Sequence, residues 1–269
     1  MKKYIIRYGA MRTHSVVKVE DANADGFFHG VEIVVRTSRG LELATILCEA
    51  TDDRIAKLPS RNKDADAVFV RRASGADLAK SAAMKRLERD DFERCDRIVE
   101  RMKIVMKLVR IERILGGEKL VVYYVADGRV DFRELVRALA AEFQTRIEMK
   151  QIGARDEMKL LADVGDCGRE VCCNAFMTEM QSVTMKMTKL QKATLDPTKI
   201  SGRCGKLKCC LRYEYEVYNE LRNETPAIGR VVATPHGNGR VIAQELLAQR
   251  VTVEFPSGET CSFSIEELR

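Results

Sequence analysis

The sequence predicts an α+β protein: a β-rich N-terminal segment, a long helix on a β-β-α-β layer, a cysteine-rich region with short helices, and a small SH3-like barrel at the C-terminal end. Three observations carry this. Apolar residues alternate with polar or small ones at Val31, Ile33 and Val35, and again at Val251, Val253 and Phe255, the period of half-buried strands. Between Asp77 and Lys107 apolar residues recur at helical spacing among charged ones. The pattern C-x-x-x-x-C-C occurs twice, as Cys167-Gly-Arg-Glu-Val-Cys172-Cys173 and Cys204-Gly-Lys-Leu-Lys-Cys209-Cys210. The 269 residues allow several small domains, read as 1–60, 61–165, 166–224 and 225–269.

The first segment runs from Met1 to about Pro59. Ser38-Arg39-Gly40 forms a turn, Leu41 and Leu43 resume the alternation, and Phe27-Phe28-His29-Gly30 is a second turn, so antiparallel strands are expected. The long helix from Asp77 to Lys107 carries one apolar stripe, Leu78, Met84, Leu87, Cys95, Ile98 and Met102, and is otherwise solvent-facing. Strands are expected over Met106–Leu115 and Lys119–Ala126 around a Gly116-Gly117 turn. Asp131 is placed to cap a helix with apolar face Leu135, Val136, Leu139 and Phe143, and Glu134 to complete a capping box. Arg146–Ile152 is a further strand.

Pro197 and the glycines divide the cysteine region into a short helix, Thr184–Gln191, and a longer one, Leu207–Arg222, with Cys209 and Cys210 on its first turns. Neighbours on a helix point about 100° apart, so an adjacent cysteine pair need not serve one site. In the last module Cys261, Phe263 and Ile265 alternate, and His236-Gly237-Asn238-Gly239 and Pro256-Ser257-Gly258 are turns.

No apolar run is long enough to span a bilayer, and Arg7 interrupts the apolar residues of the N-terminus, which places the chain in the cytosol. In a reducing compartment, grouped cysteines signal metal or redox chemistry rather than disulfides. Cys48, Cys95 and Cys261 stand alone in apolar segments and read as small buried hydrophobes.

The cysteine region is cationic. From Cys167 to Tyr213 the bases are Arg169, Lys186, Lys189, Lys192, Lys199, Arg203, Lys206, Lys208 and Arg212, against Glu170, Glu179 and Asp196. Positive charge lowers thiol pKa, offsets the charge of a thiolate-bound centre, and attracts acidic proteins or nucleic acid. Lys186, Lys189, Lys192, Lys206 and Lys208 are the candidate contacts to such a partner. Only Phe176 lies between the cysteine blocks as an aromatic, so stacking on bases is poorly provided for. His14, His29 and His236 all lie outside the region, so the candidate donor set is all sulfur: Cys167, Cys172, Cys173, Cys204, Cys209 and Cys210.

Six thiolates exceed one four-thiolate site and fall short of two closed ones. Two sites could each take three local cysteines and a fourth ligand from another chain. One site could take four and leave a pair. Two zinc ions could share six. The residues alone leave zinc and iron–sulfur level. Three function classes follow: a cluster-bearing adaptor, a zinc-stabilised nucleic-acid-binding protein, and a thiol-based redox sensor. No phosphate-binding G-x-x-x-x-G-K-[ST] loop, G-x-S-x-G elbow or H-E-x-x-H motif is present, so the chain is not read as an enzyme.

From about Val122 to Tyr218 the chain resembles the bacterial RicT/YaaT family, with its polymerase-suppressor-protein-type C-terminal domain. The resemblance is carried by Ala126-Asp127-Gly128-Arg129-Val130-Asp131-Phe132-Arg133-Glu134-Leu135-Val136, by Arg146-Ile147-Glu148-Met149-Lys150-Gln151-Ile152-Gly153-Ala154-Arg155-Asp156-Glu157, by Pro197-Thr198-Lys199-Ile200-Ser201-Gly202, and by both cysteine motifs. Asp166 stands where the family often has Pro. The resemblance implies a cytoplasmic, non-catalytic regulator of sporulation, competence and biofilm development. Such proteins act with two small helical partners, in a complex that holds iron–sulfur clusters and adjusts mRNA processing by an endoribonuclease. It implies that the six cysteines ligate iron–sulfur clusters, read as 4Fe–4S, and it favours the option in which another chain completes each site; zinc is the alternative that the residues themselves leave open.

Overall fold

The computed structural model describes residues 2–20, 26–56, 58, 67–128, 130–161, 164–177, 181–193 and 196–268. Pro59, Arg129 and Glu179 lie outside the described residues. The chain is α+β and divides into two compact units, Met1–Glu179 and Met180–Arg269, with the dividing point between the two cysteine motifs.

The first unit begins with a five-stranded antiparallel sheet. Its strands are β1 (Lys2–Tyr8), β2 (Thr13–Val19), β3 (Glu32–Thr37), β4 (Gly40–Glu49) and β5 (Val68–Arg72), in the order β2-β1-β4-β3-β5. Alternation puts Tyr4, Ile6, Val17, Val19, Ile33, Val35, Ala44 and Ile46 on one buried face. Phe27 packs edge-on between Tyr4 and Phe69, at centroid distances of 5.7 and 5.8 Å. The edge strands β2 and β5 approach each other, so the sheet curls into half a barrel. A short helix, α1 (Asp52–Ala56), follows β4. β5 was not foreseen, since its Arg71 and Arg72 mask the strand pattern and only Phe69 reaches the core.

The long helix α2 spans Gly75–Arg101, not Asp77–Lys107. Ser74 caps it: the Asp77 N–H donates to Ser74 Oγ at 3.2 Å, and the Ser74 N–H donates to Asp77 Oδ2 at 2.8 Å. It ends where Lys103 turns left-handed at φ 54° and the Ile104 N–H reaches back to the Val99 carbonyl. Lys107 already belongs to a strand. The expected stripe is also corrected. Leu78 and Leu87 are exposed, and the buried face is Asp91, Cys95, Ile98 and Val99. The helix rides on strand β6 (Lys107–Arg113) partly through ion pairs, Arg113 to Asp91 at 2.5 Å and Arg110 to Glu88 at 3.3 Å.

Strand β6 pairs antiparallel with β7 (Lys119–Val125), which pairs parallel with β8 (Arg146–Gln151) after helix α3 (Arg133–Phe143) crosses over. Leu135, Leu139 and Phe143 bury the α3 face as expected, and each fully buried side chain of this kind stabilises by about 1.5–3 kcal/mol. The capping box at Asp131 and Glu134 does not form. Phe132 is the N-cap, and Asp131 accepts from the Arg133 N–H at 3.1 Å while its carboxylate pairs with that arginine's side chain. Helix α4 (Ala154–Leu161) covers the other face of the sheet through Leu160, against Val121 and Tyr123.

In the second unit α6 (Met185–Leu190) matches the expected short helix. It is followed by α7 (Pro197–Ile200), capped by Asp196. The expected helix from Leu207 to Arg222 is two pieces, α8 (Cys210–Tyr213) and α9 (Tyr215–Glu224), because Leu207 pairs with Ser201 in an isolated β-bridge and the chain breaks at Glu214. Strands β9 (Val231–Thr234), β10 (Gly237–Glu245), β11 (Arg250–Glu254) and β12 (Thr260–Ser264) form an antiparallel meander over Val232, Val241, Val251, Val253 and Phe263. Among the described residues no ladder joins β9 to β12.

A Cβ added at Gly239 would lie 2.4 Å from Val253 Cγ1 and 2.9 Å from the Glu254 carbonyl oxygen. Gly239→Ala is expected to destabilise this sheet by about 1–3 kcal/mol, read as a lower urea midpoint for the second unit. An unchanged midpoint would mean that β11 yields at no cost.

Of the lone cysteines, Cys95 is fully buried, and burial, followed by Asp96 and Asp91, pushes its thiol up to about 12. Cys48 is half-buried and Cys261 exposed, so neither is the buried hydrophobe expected. In β12 only the Phe263 side of the strand meets the core.

Candidate metal centre

The two cysteine motifs fold into the same shape, a hairpin turn that delivers its chain to the start of a short helix. In the first copy Val164 and Glu170 form an antiparallel bridge, and in the second Ser201 and Leu207 do. The Gly165 N–H donates to the Arg169 carbonyl at 2.8 Å, and Gly202 to Lys206 at 2.7 Å. The Gly168 N–H closes on Gly165 at 2.9 Å, and Gly205 on Gly202 at 2.9 Å. Gly168 and Gly205 take φ of 76° and 71°, the left-handed region that explains the glycine after each first cysteine.

Helix α5 (Cys172–Ala175) and α8 then begin on the cysteine pairs. The Phe176 and Tyr213 N–H groups reach back to Cys172 and Cys209, both at 3.1 Å. Cys172 and Cys173 open α5, and Cys209 is the N-cap of α8.

Each first cysteine folds back over the glycine two residues before it. A Cβ on Gly165 would lie 3.5 Å from Cys167 Sγ, and one on Gly202 3.9 Å from Cys204 Sγ. The smallness of Gly165 and Gly202 keeps space beside these sulfurs. The C-x-x-x-x-C-C core leaves out Gly165, and Gly202 enters only as the end of the Pro197–Gly202 stretch, although aligning the two copies makes the longer pattern G-x-C-G-x-x-x-C-C plain.

Cys167 is exposed and the other five are half-buried. Cys173 Sγ lies 3.9 Å from the Arg155 carbonyl of α4, a weak donor contact. Burial raises the Cys210 thiol pKa, as do the neighbouring Cys209 and Glu214, against hydrogen bonds from backbone N–H groups. Lys186, Lys189 and Lys206 are exposed and Lys208 half-buried. Lys192 lies past the end of α6 and turns its Nζ to the Gln244 carbonyl, so the lysine stripe expected at helical spacing stops at Lys189. His29 and His236 are exposed, and His14 lies on β2 with its pKa lowered by burial and then by Lys159 and Arg7.

The donor set suits a thiophilic metal: soft sulfur ligands in a cationic setting, with no described cysteine in a disulfide. Among the described residues two buried polar side-chain atoms are also left without a partner, Asn174 Oδ1 directly after the first motif and Thr188 Oγ1 on α6. Flipping the Asn174 amide does not relieve it, because Nδ2 already donates to Glu170 Oε1. Each motif supplies three thiols at most, and among the described residues no three Cys, His, Asp or Glu side chains gather at metal-holding distance. The first motif belongs to the first unit and the second to the second unit. No described helix is long and apolar enough to cross a membrane.

Residues 67–152 match the PSP1 C-terminal conserved region, and residues 182–225 match the PSP1-like protein third domain, which contains the second motif. The chain is 38% identical over 251 residues to Stage 0 sporulation protein YaaT of Bacillus subtilis (strain 168), an alignment covering 92% of this chain and 89% of that protein. No solved structure matches.

Proposed function

The chain belongs to the YaaT family of PSP1-domain proteins, and from that premise we propose that it is a cytoplasmic regulatory adaptor, without catalysis of its own, that acts in sporulation-type developmental control. Its two cysteine motifs hold iron–sulfur clusters of the 4Fe–4S type, and partner proteins complete the sites. The resulting complex modulates endoribonuclease-dependent RNA processing. One observation carries this reading: the same hairpin-to-helix knuckle is built twice, with equivalent glycines and equivalent hydrogen bonds around equivalent cysteines. A shape repeated around sulfur, where the rest of each unit differs, points to a shared ligand rather than to shared packing.

Cys167, Cys172 and Cys173 would hold one centre, and Cys204, Cys209 and Cys210 the other. When bound, such a centre supplies an oxygen- and redox-sensitive cross-link within its knuckle. The glycine turns set the direction of the first cysteine, and the helix starts set that of the pair. Three thiols per knuckle leave a coordination position for small helical partner proteins to fill. The exposed Lys186, Lys189 and Lys206 give these partners, or RNA phosphates, a cationic approach. The C-terminal meander, as an SH3-like module, serves packing or contacts with partners.

Anaerobic co-purification from iron-replete cells tests the reading. The expected product is brown, with broad visible absorbance that air bleaches, and contains iron and sulfide. Stoichiometric zinc without iron would replace the cluster with a zinc-stabilised nucleic-acid-binding module. Metal-free thiols in every preparation would leave the redox-sensor alternative.

A further inference from the structure

We propose that Arg12 is a positioning residue for the first knuckle and that Gln191 plays the same part for the second, so that the two knuckles are braced and occupied independently. The inference rests on the reading that the knuckles hold metal. Asn174 and Leu211 occupy the same place in the two copies, directly after the cysteine pair, and each donates its N–H to the residue before that pair, Val171 or Lys208. The carbonyls of both residues accept a side-chain bond from elsewhere in their own unit. Arg12 Nη1 donates to the Asn174 carbonyl at 3.1 Å, and Gln191 Nε2 donates to the Leu211 carbonyl at 2.6 Å. The same backbone atom is held in each copy, by a different residue on a different element. A helix of one turn leaves its last carbonyls without partners of their own, so an outside donor fixes them.

The first brace holds both arms of its knuckle. Arg12 Nη1 also lies 3.6 Å from Glu170 Oε1, and Glu170 accepts from Asn174 Nδ2. Glu170 is on the hairpin arm, next to the turn that carries Cys167, and Asn174 is on the helical arm that carries Cys172 and Cys173. Arg12 is itself fixed. It sits in the β1–β2 turn at φ 51°, with its N–H on the Gly9 carbonyl at 3.0 Å. In that turn the Ala10 N–H donates to the buried Glu112 Oε1 at 2.7 Å. The second knuckle draws its brace from α6, where Gln191 is the C-cap.

The test compares full-length Arg12→Met, Arg12→Lys and Gln191→Leu with the parent chain. In reduced, metal-free protein, N-ethylmaleimide labelling is followed at each cysteine by mass spectrometry. Arg12→Met is expected to speed labelling of Cys172 and Cys173 about 10-fold while Cys209 and Cys210 keep the parent rate, and Gln191→Leu to do the reverse. Arg12→Lys, which keeps the charge but not the reach and fixed plane of the guanidinium, falls between. Buried Cys95 reports global unfolding. Should Arg12→Met expose it, the intermediate rates of Arg12→Lys carry the decision.

After anaerobic reconstitution with iron and sulfide, metal retention against a chelator should fall about 10- to 100-fold at the loosened knuckle alone. Parent-like rates at Cys172 and Cys173 in both Arg12 variants, or equal effects of each variant on both knuckles, would overturn the proposal. Site-selective labelling in a chain that never takes up metal would uphold the braces and remove the cluster reading.

Discussion

Arg39→Met is expected to destabilise the first unit by about 3–5 kcal/mol, the cost of leaving buried carboxylates without their cation. Arg39 Nη1 donates to Glu112 Oε2 at 2.8 Å and to the Tyr123 hydroxyl at 3.0 Å, and its Nε donates to Glu42 Oε1 at 3.1 Å. Tyr123 donates in turn to Glu112 Oε2 at 2.7 Å, and Thr37 Oγ1 to Glu42 Oε1 at 2.6 Å. The side chains are 14% exposed for Arg39, 4% for Glu42 and 10% for Glu112, so water cannot replace the guanidinium. Glu112→Gln is the milder variant, since Arg39 keeps Glu42.

Acid provides a second readout. Burial raises the Glu112 pKa, but Arg39, by charge and hydrogen bond, together with Tyr123 and the Ala10 N–H, holds it below the usual 4.5. A depressed folded pKa contributes stability that is fully present above the unfolded value and is lost as pH falls through the folded one. The parent should therefore lose stability below about pH 4.5, while Arg39→Met, in which burial of the Glu112 carboxyl is no longer opposed by the guanidinium, loses less. Urea melts at pH 7 and pH 4, with hydrogen exchange at β6 and β7, measure both effects. A difference under about 1 kcal/mol at pH 7 would place the cluster among surface ion pairs. The network also anchors the turn that aims Arg12, so its loss should speed labelling of Cys172 and Cys173 as well.

How much of this was legible in the sequence depends on the range of the signal. The β6-β7-α3-β8 order came through because each element carries its own period, and Leu135, Leu139 and Phe143 fall on one helix face whatever surrounds them. The duplication was legible as a repeated C-x-x-x-x-C-C with a glycine after each first cysteine, but the hairpin it folds into was not, since its bridge and turn are made by backbone bonds. The ends of α2 were misplaced since Asp77 is the third residue of the helix and closes a capping box that starts at Ser74, and since a lysine rather than a glycine takes the left-handed exit. The helix expected from Leu207 is interrupted because a strand-like bridge competes for its first residues. The Arg39–Glu112 pair and the Arg12 brace had no local signature. Their partners lie 73 and 162 positions away, and an arginine in a turn reads as solvated until the fold closes over it.

Cys167→Ser and Cys204→Ser are each expected to abolish metal at their own knuckle and to weaken partner binding with it. Thiolate-bound structural metal contributes about 10–16 kcal/mol in small domains, so one ligand in four represents roughly 2.5–4 kcal/mol, about 100- to 1,000-fold in retention. Serine keeps the size of the side chain but presents a hydroxyl, a harder and far weaker ligand for a thiophilic centre. Neither sulfur packs a core, since Cys167 is exposed and Cys204 half-buried, so the apo chain should keep its stability.

That contrast separates ligation from packing. A structural cysteine would lower the urea midpoint and leave metal content alone, whereas a ligand does the opposite. Anaerobic iron and sulfide analysis of each variant, beside a pull-down with the co-purifying partners, makes the measurement. Loss of about half the metal in each single variant, and of all of it in the double, would assign one centre to each knuckle. Complete loss in either single variant would mean one centre drawing on both. Full metal and full partner binding in both variants would remove the knuckles from the ligand set altogether. The glycine turns would then have to be explained by some other need for a thiol held at that angle.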